Sequence, residues 1–220
     1  MLHTTELTLY LDDQTLLTLP PLAVAPGEVL TLMGPSGCGK SSLLAALAGV
    51  LPAKGPIRLS GDIHLGERRL TPLAPQARRI GMLFQDDLLF AHLTVAENLM
   101  FGMPAHLKGM AARRARALAA LAEVGLEGQA DKLPGQLSGG QKARVGLLRA
   151  LLAEPEALLL DEPFSRLDKP LRAAFRTLVF ERLKALGIPA LLVTHDEEDA
   201  PGVILTLTTP CLTKEETDLV

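Results

Sequence analysis

The stretch GPSGCGKSS, Gly34 to Ser42, constrains this chain more than any other, because it stands between two apolar runs, Val29 to Met33 and Leu43 to Ala48. Strand, glycine-rich loop, helix is the order in which backbone amides converge on phosphate oxygens while a helix N-terminus offers its positive end to the same anion. Gly34, Gly37 and Gly39 leave the amides free, and Pro35, Ser36, Cys38 and Ser42 complete the loop. Lys40 is placed to reach the β and γ phosphates, and the Ser41 hydroxyl to ligate Mg²⁺. Kinases, GTPases, recombinases, helicases and transport motors all use such loops, so the rest of the chain has to choose.

Composition narrows the choice. The 220 residues suit one large domain, or a core with an insertion. With 22 basic against 25 acidic residues there is no global charge to attract nucleic acid. One Tyr and no Trp argue against base stacking on aromatic rings. Hydrophobic residues make up 48% and mean hydropathy is +0.25, yet no uncharged run reaches the roughly 20 residues that span a bilayer. The N-terminus MLHTTELTLYLDD lacks the basic and apolar regions of a signal peptide, which predicts a cytoplasmic protein. Cys38 and Cys211 read as ordinary thiols in a reducing compartment.

The pattern along the chain predicts an α/β fold. LTLYL and TLLTL read as strands, broken at Asp12-Asp13 and stopped by Pro20-Pro21. Pro26-Gly27 turns into the strand that ends at Met33. Residues 57–71 resemble a hairpin turning at Ser60-Gly61, and Ile80 to Phe84 another strand. Thr94 and Glu97 have the spacing of a capping box, and an Ala- and Arg-rich helix follows from Met110, ended by Gly125. We therefore expect a helical subdomain, 86–136, inserted into an α/β core made of 1–85 and 137–220. In the core, Gln141 to Ala153 and residues 170–186 read as helices, while ALLL (157–160) and PALLVT (189–194) read as parallel strands buried on both faces.

Two further stretches carry chemistry. LLLDEP ends an apolar strand in two acids, where open parallel sheets gather their ligands. Asp161 is placed to hold Mg²⁺ and Glu162 to polarise an attacking water. Leu137-Ser138-Gly139-Gly140-Gln141 then supplies a second anion cradle at a helix start, and a single site hardly needs two.

LSGGQ followed by the acidic strand closely resembles the nucleotide-binding subunits of ABC (ATP-binding cassette) proteins, over roughly residues 5–200. The resemblance implies a RecA-like P-loop core with a mostly parallel sheet, an N-terminal antiparallel β subdomain and a helical insertion. It also implies an ATPase whose cofactors are ATP and Mg²⁺. By position, Gln85 matches the family's Q-loop glutamine and contacts Mg²⁺ or the attacking water. Ser165 to Asp168 match the D-loop, and His195 matches the switch histidine that contacts the γ phosphate. Two cassettes would dimerise head to tail, so that the phosphate loop of one and Ser138, Gly139, Gly140 and Gln141 of the other sandwich each ATP. Partners implied are a polytopic membrane permease and an extracytoplasmic solute-binding protein, with the chain peripheral on the inner face of the membrane.

The sequence departs from the pattern in places. An ungapped count puts the adenine-stacking position at Leu11, beside Tyr10, so Tyr10 is the stacking candidate although strand neighbours face opposite sides. Arg166 stands where the D-loop more commonly has alanine, and the C-terminal regulatory domain of some importer cassettes is not expected. Arg113, Arg114 and Arg116 read as a solvated helix face. Leu88 to Leu93 reads equally as core or as an exposed partner patch. The closest likeness within the family is to compact importers of thiamine, polyamine, iron or sulfate. The alternatives are an exporter or lipoprotein-release ATPase, or a soluble cassette of DNA maintenance, translation or sulfur-cluster assembly. DNA-maintenance members usually place a long coiled coil between motifs that here lie about a hundred residues apart.

Overall fold

The computed structural model describes residues 1–86 and 88–207, so Cys211 lies outside the described residues. The chain opens with short strands: β1 (Leu2–Thr4), β2 (Leu7–Leu11), β3 (Gln14–Leu19) and β4 (Ala23–Val24). Asp12, in the left-handed region at φ 53°, turns β2 into β3, and Pro20-Pro21, which lack donors for a ladder, end β3. The next elements are β5 (Val29–Met33), the glycine loop and α1 (Lys40–Ala48). After α1 come β6 (Ile57–Ser60), β7 (Ile63–Leu65), β8 (Arg68–Arg69), the single turn α2 (Pro75–Arg78) and β9 (Ile80–Leu83). Helices α3 (Val95–Gly102), α4 (Met110–Glu123) and α5 (Gly139–Leu152) then lead to β10 (Ala157–Asp161), α6 (Lys169–Leu186), β11 (Ala190–Val193) and β12 (Ile204–Thr206).

Five strands form a parallel sheet in the order β12-β5-β11-β10-β9. Every residue of β10 and β11 is buried, and their alternating residues enter two different cores. Leu158, Leu160, Ala190 and Leu192 face a core shared with α3, α4, α5 and α6. Ala157, Leu159, Leu191 and Val193 face a core shared with α1 and the N-terminal strands. This double burial is why the two runs carry no polar alternation. Segment 88–136 buries Val95, Leu99, Ala117 and Leu121 in the first of these cores.

The 57–71 region does hold a hairpin, β7 with β8 turning at Gly66-Glu67, but the turn expected at Ser60-Gly61 is corrected. β6 pairs with β2 in a three-stranded antiparallel sheet, whereas β7 pairs with β1 and β8 in a four-stranded one. Gly61, at φ 103°, carries the chain between them, and a Cβ there would sit 2.2 Å from the Glu6 carbonyl oxygen. The tight approach of another backbone, not a two-residue turn, is what requires glycine.

The capping box is present, with the Thr94 hydroxyl accepting from the Glu97 amide and the Glu97 carboxylate accepting from the Thr94 amide at 2.7 Å. These backbone and side-chain bonds to Thr94 hold the Glu97 carboxyl below its ordinary pKa. At the other end of α1, an unpredicted device satisfies the last carbonyls. Arg78 is buried and donates to the carbonyls of Ala46, Leu47, Leu73 and Thr71 at 2.8–3.0 Å. Helix α1 carries the phosphate loop, so this guanidinium fastens the site from behind. Replacing Arg78 with Leu removes four donated hydrogen bonds and should cost about 3 kcal/mol of stability; a midpoint in urea unchanged from wild type would show that water satisfies the carbonyls instead.

Candidate functional site

The loop between β5 and α1 curls back on itself because Gly37 (φ 81°) and Gly39 (φ 90°) adopt left-handed backbone. Ser36, Gly37, Gly39, Lys40, Ser41 and Ser42 line one side of a cleft of about 460 Å³, with Gln85, Asp161 and Glu162 on the same cleft. Lys40 is buried and its Nζ donates to the carbonyls of Gly34 (2.8 Å) and Pro35 (2.7 Å), with the Cys38 sulfur 3.8 Å away. Gly34 and Pro35 thus act through their carbonyls, and the fully buried Cys38 underpins the loop from the core.

Strand β10 delivers the acids. Asp161 closes the strand, 5% exposed. Burial pushes its carboxyl above the usual range, a hydrogen bond from the Ser41 hydroxyl opposes this, the neighbouring Glu162 charge adds to it, and the Lys40 charge opposes it. Ser41, Asp161 and Gln85 offer a hydroxyl, a carboxylate and an amide oxygen on one cleft, the hard oxygen donors that suit Mg²⁺. A carboxylate buried at this cost, with no ion pair among the described residues, is a fitting place for a cation.

Glu162 holds a left-handed backbone at φ 47°, unusual for a residue with a side chain and worth about 1 kcal/mol or more of strain. Its amide donates to the Val193 carbonyl at 2.9 Å and its carbonyl accepts the Ser165 hydroxyl at 2.9 Å. This twist turns the carboxylate towards β11, where His195 Nδ1 lies 3.1 Å from Glu162 Oε1. Glu162 and His195, 33 residues apart, are therefore neighbours, as the adjacent strands require.

The cleft's apolar wall is Leu11, Leu16 and Ile57, and Tyr10 is not part of that lining. Leu9 pairs with Leu17 and Tyr10 with Thr15, leaving Leu16 as a bulge residue without an opposite partner. Its side chain turns against the phosphate loop, so that a Cβ on Gly39 would lie 3.0 Å from Leu16 Cδ2. Sequence reasoning missed Leu16 and Ile57. The doubled leucine of TLLTL, which breaks the alternation, was the available signal.

The second cradle stands apart. Ser138, Gly139, Gly140 and Gln141 begin α5 and do not line the cleft. The Ser138 hydroxyl accepts from the Gln141 amide (3.3 Å), and Gln141 Oε1 accepts from the Ser138 amide (2.9 Å). Asp168 is also outside the cleft, where it caps α6 by accepting from the Leu171 amide at 3.1 Å. A Cβ on Gly140 would meet Leu167 Cδ2 at 3.0 Å, so the two segments pack together, and Arg166 pairs with Asp86 at 2.7 Å.

A phosphate loop, a Mg²⁺-competent acid and a glutamate–histidine pair at one edge of a parallel sheet define a nucleotide hydrolase. Residues 20–165 match the family model described as ABC transporter, and the chain belongs to that family as an ATP-binding subunit that hydrolyses ATP. It is 50% identical over 202 residues to an uncharacterised ABC transporter ATP-binding protein, YnjD, of Escherichia coli, covering 92% of each chain. Identity to the thiamine import ATP-binding protein ThiQ of Cereibacter sphaeroides is 46% over 201 residues, covering 91% of this chain and 84% of that one. Among solved structures it superposes on the ATP-binding cassette MJ0796, a dimer in a post-hydrolysis state bound to ADP and Pi, with a TM-score of 0.81, 28% identity and 94% coverage of both chains.

The raised carboxyl of Asp161 has a stability consequence. Between its unfolded and folded pKa values, the folded chain holds a proton that the unfolded chain has released, so stability falls as pH rises through that window and stays lower above it. Asp161→Asn should therefore melt at a higher temperature than wild type at neutral pH in chelator, while losing Mg²⁺-dependent hydrolysis. A lower melting temperature for the variant would contradict the assigned burial cost.

Proposed function

We propose that the chain is the motor subunit of an importer, working as a head-to-tail dimer beneath a polytopic permease on the cytoplasmic face of the membrane. One observation carries the dimer: five groups converge on a single cleft, while the second anion cradle, Ser138 to Gln141, lies outside it. A cradle outside the cleft of its own phosphate loop finds a nucleotide when a second copy presents its loop. MJ0796, of the same fold, is dimeric.

In this reading the loop amides and Lys40 bind the β and γ phosphates of ATP, with Ser138 to Gln141 of the second copy closing over them. Ser41, Asp161 and Gln85 hold Mg²⁺, which when bound neutralises charge on the phosphate oxygens. Glu162 accepts the proton of the attacking water, and His195, beside it, donates a hydrogen bond to the γ phosphate. The apolar wall of Leu11, Leu16 and Ile57 takes the base. Asp168 lies at the dimer seam. ATP closes the two copies and its hydrolysis lets them part, a shift between two dimer states driven by a ligand that binds one better.

The permease contact falls on a groove of about 280 Å³ lined by Leu88, Phe90, Phe101 and Arg149, among others. Leu88 is 56% and Phe101 67% exposed, whereas Leu89 packs on the core. Asn98, wholly buried, fixes the loop here by bonding the amide and carbonyl of Phe90 and the carbonyls of Leu93 and Thr94 at 2.8–3.1 Å. A rigid apolar patch of this kind suits a partner's helix. Among the described residues no helix is long and apolar enough to cross a membrane, and this reading gives the solute path, with the choice of solute, to the permease and a solute-binding protein. ThiQ, named for thiamine import, supports import as the direction.

Glu162→Gln should bind ATP as wild type does and lose about a hundredfold or more in turnover. With ATP it should elute as a dimer in size-exclusion chromatography, and adding Ser138→Arg should return it to the monomer position. A monomeric Glu162→Gln with saturating ATP would remove the composite site. A tagged Glu162→Gln chain should also capture a polytopic protein from detergent-solubilised host membranes; soluble partners alone would overturn the transport assignment.

A further inference from the structure

Among the described residues the His195 side chain bonds Glu162, and it is 66% exposed. The imidazole is therefore loosely held by its own contacts. The residues on either side of it are fixed. The Thr194 hydroxyl donates to Asp199 Oδ2 at 3.3 Å and accepts from the Asp196 amide at 3.1 Å. The Asp196 carboxylate pairs with Arg172 at 2.8 Å.

The Thr194 tie ends on Asp199 directly, and the Asp196 tie reaches it through Arg172. Asp199 is 1% exposed, and Arg172 grips it with both arms of its guanidinium, Nε to Oδ1 at 2.9 Å and Nη2 to Oδ2. Arg176, one turn further along α6, bonds the Glu198 carbonyl and lies 3.5 Å from Asp199 Oδ1. The hydrogen bond to Asp199 raises the Arg172 pKa further. A buried ion pair adds little net stability compared with apolar packing of the same shape. A bidentate pair does impose geometry, and here the geometry it imposes is that of the two residues flanking His195.

Helix α6 gives the clamp a second connection. It begins at its cap Asp168, and the Arg172 amide donates to the Asp168 carbonyl at 2.8 Å. Positions 168, 172 and 176 share one face of the helix, so the segment assigned above to the dimer seam and the segment bearing His195 are attached to the same turns.

We propose that Asp199, held by Arg172 and Arg176, is a positioning residue that keeps His195 in register with Glu162, so that hydrolysis depends on a group that touches no reactant. This rests on the assignment of His195 to the γ phosphate, and the test separates the two. Steady-state ATP hydrolysis of the full chain is measured for Asp199→Asn, Thr194→Val, His195→Ala and the doubles with His195→Ala. Asp199→Asn should lower kcat about tenfold or more with KM for ATP within about twofold. Asp199→Glu, which keeps the charge, should recover part of the loss. In the His195→Ala background neither Asp199→Asn nor Thr194→Val should cost more than about twofold in kcat, because the residue they position is gone. A merely structural role would give the same loss in both backgrounds, and that result overturns the clamp, as does a fully active Asp199→Asn beside an impaired His195→Ala. Wild-type hydrolysis by His195→Ala overturns the histidine assignment and the clamp with it. Should Asp199→Asn fail to fold, Thr194→Val, nearly isosteric and cutting the same tie, carries the comparison.

Discussion

The parallel pairing of β5, β11 and β10 is the constraint from which the site follows. Its register sets Leu32 opposite Val193 and Val193 opposite Asp161, so three strands from distant parts of the chain finish in one row. Whatever follows each strand must then meet the others. After β5 comes the phosphate loop, after β11 Thr194 and His195, after β10 Glu162. No side-chain contact is needed to bring lysine, glutamate and histidine together, because the backbone ladder has already done so. A slip of one residue in either pairing would move Asp161 off the Ser41 hydroxyl and turn every apolar side chain of a central strand to the opposite core.

That second consequence protects the first. Strands β10 and β11 face a leucine-rich core on each side, so a register slip would force repacking of both at once. At roughly 25 cal/mol for each Å² of apolar surface, even one misplaced leucine costs more than a hydrogen bond of the ladder contributes net. The burial that makes the strands featureless in sequence is what makes their register reliable. Arg78 adds to this from the far side of α1, where it ties the helix that carries Lys40 to the segment leading into β9.

Legibility in the sequence follows from how local each determinant is. The phosphate loop, the Thr94–Glu97 box and LLLDEP could be read because their chemistry is carried by neighbours in the chain. Pairing could not: Ser60-Gly61 has turn composition, but whether β6 turns back on β7 or leaves for β2 depends on Glu6, more than fifty residues earlier. The same holds for Leu16, whose bulge is created by its register with β2, and for Arg78, which is one arginine of an ordinary-looking run until α1 is laid against it. Tyr10 is the stacking candidate in the sequence as the aromatic beside the counted position, Leu11, whereas the cleft's wall uses Leu11 itself with Leu16 and Ile57. Ser138 to Gln141 were legible as a second cradle, and in one copy they cap a helix and meet Leu167.

The cleft is expensive to the chain that carries it. Asp161 is buried with its charge poorly compensated, Glu162 is held in a strained backbone, and Lys40 gives its hydrogen bonds to carbonyls of its own loop. Each of these is a cost without nucleotide and an asset with it, because a bound anion and cation supply the partners that the fold withholds. Ligand binding to the folded state alone adds stability that grows with the logarithm of one plus the ratio of free ligand to its dissociation constant, so nucleotide in such a cleft stabilises the sheet edge that holds it. The same edge carries the His195 segment and, through α6, Asp168. Helix α6 thus joins the sheet edge to the surface that, in the proposed dimer, a second copy would meet.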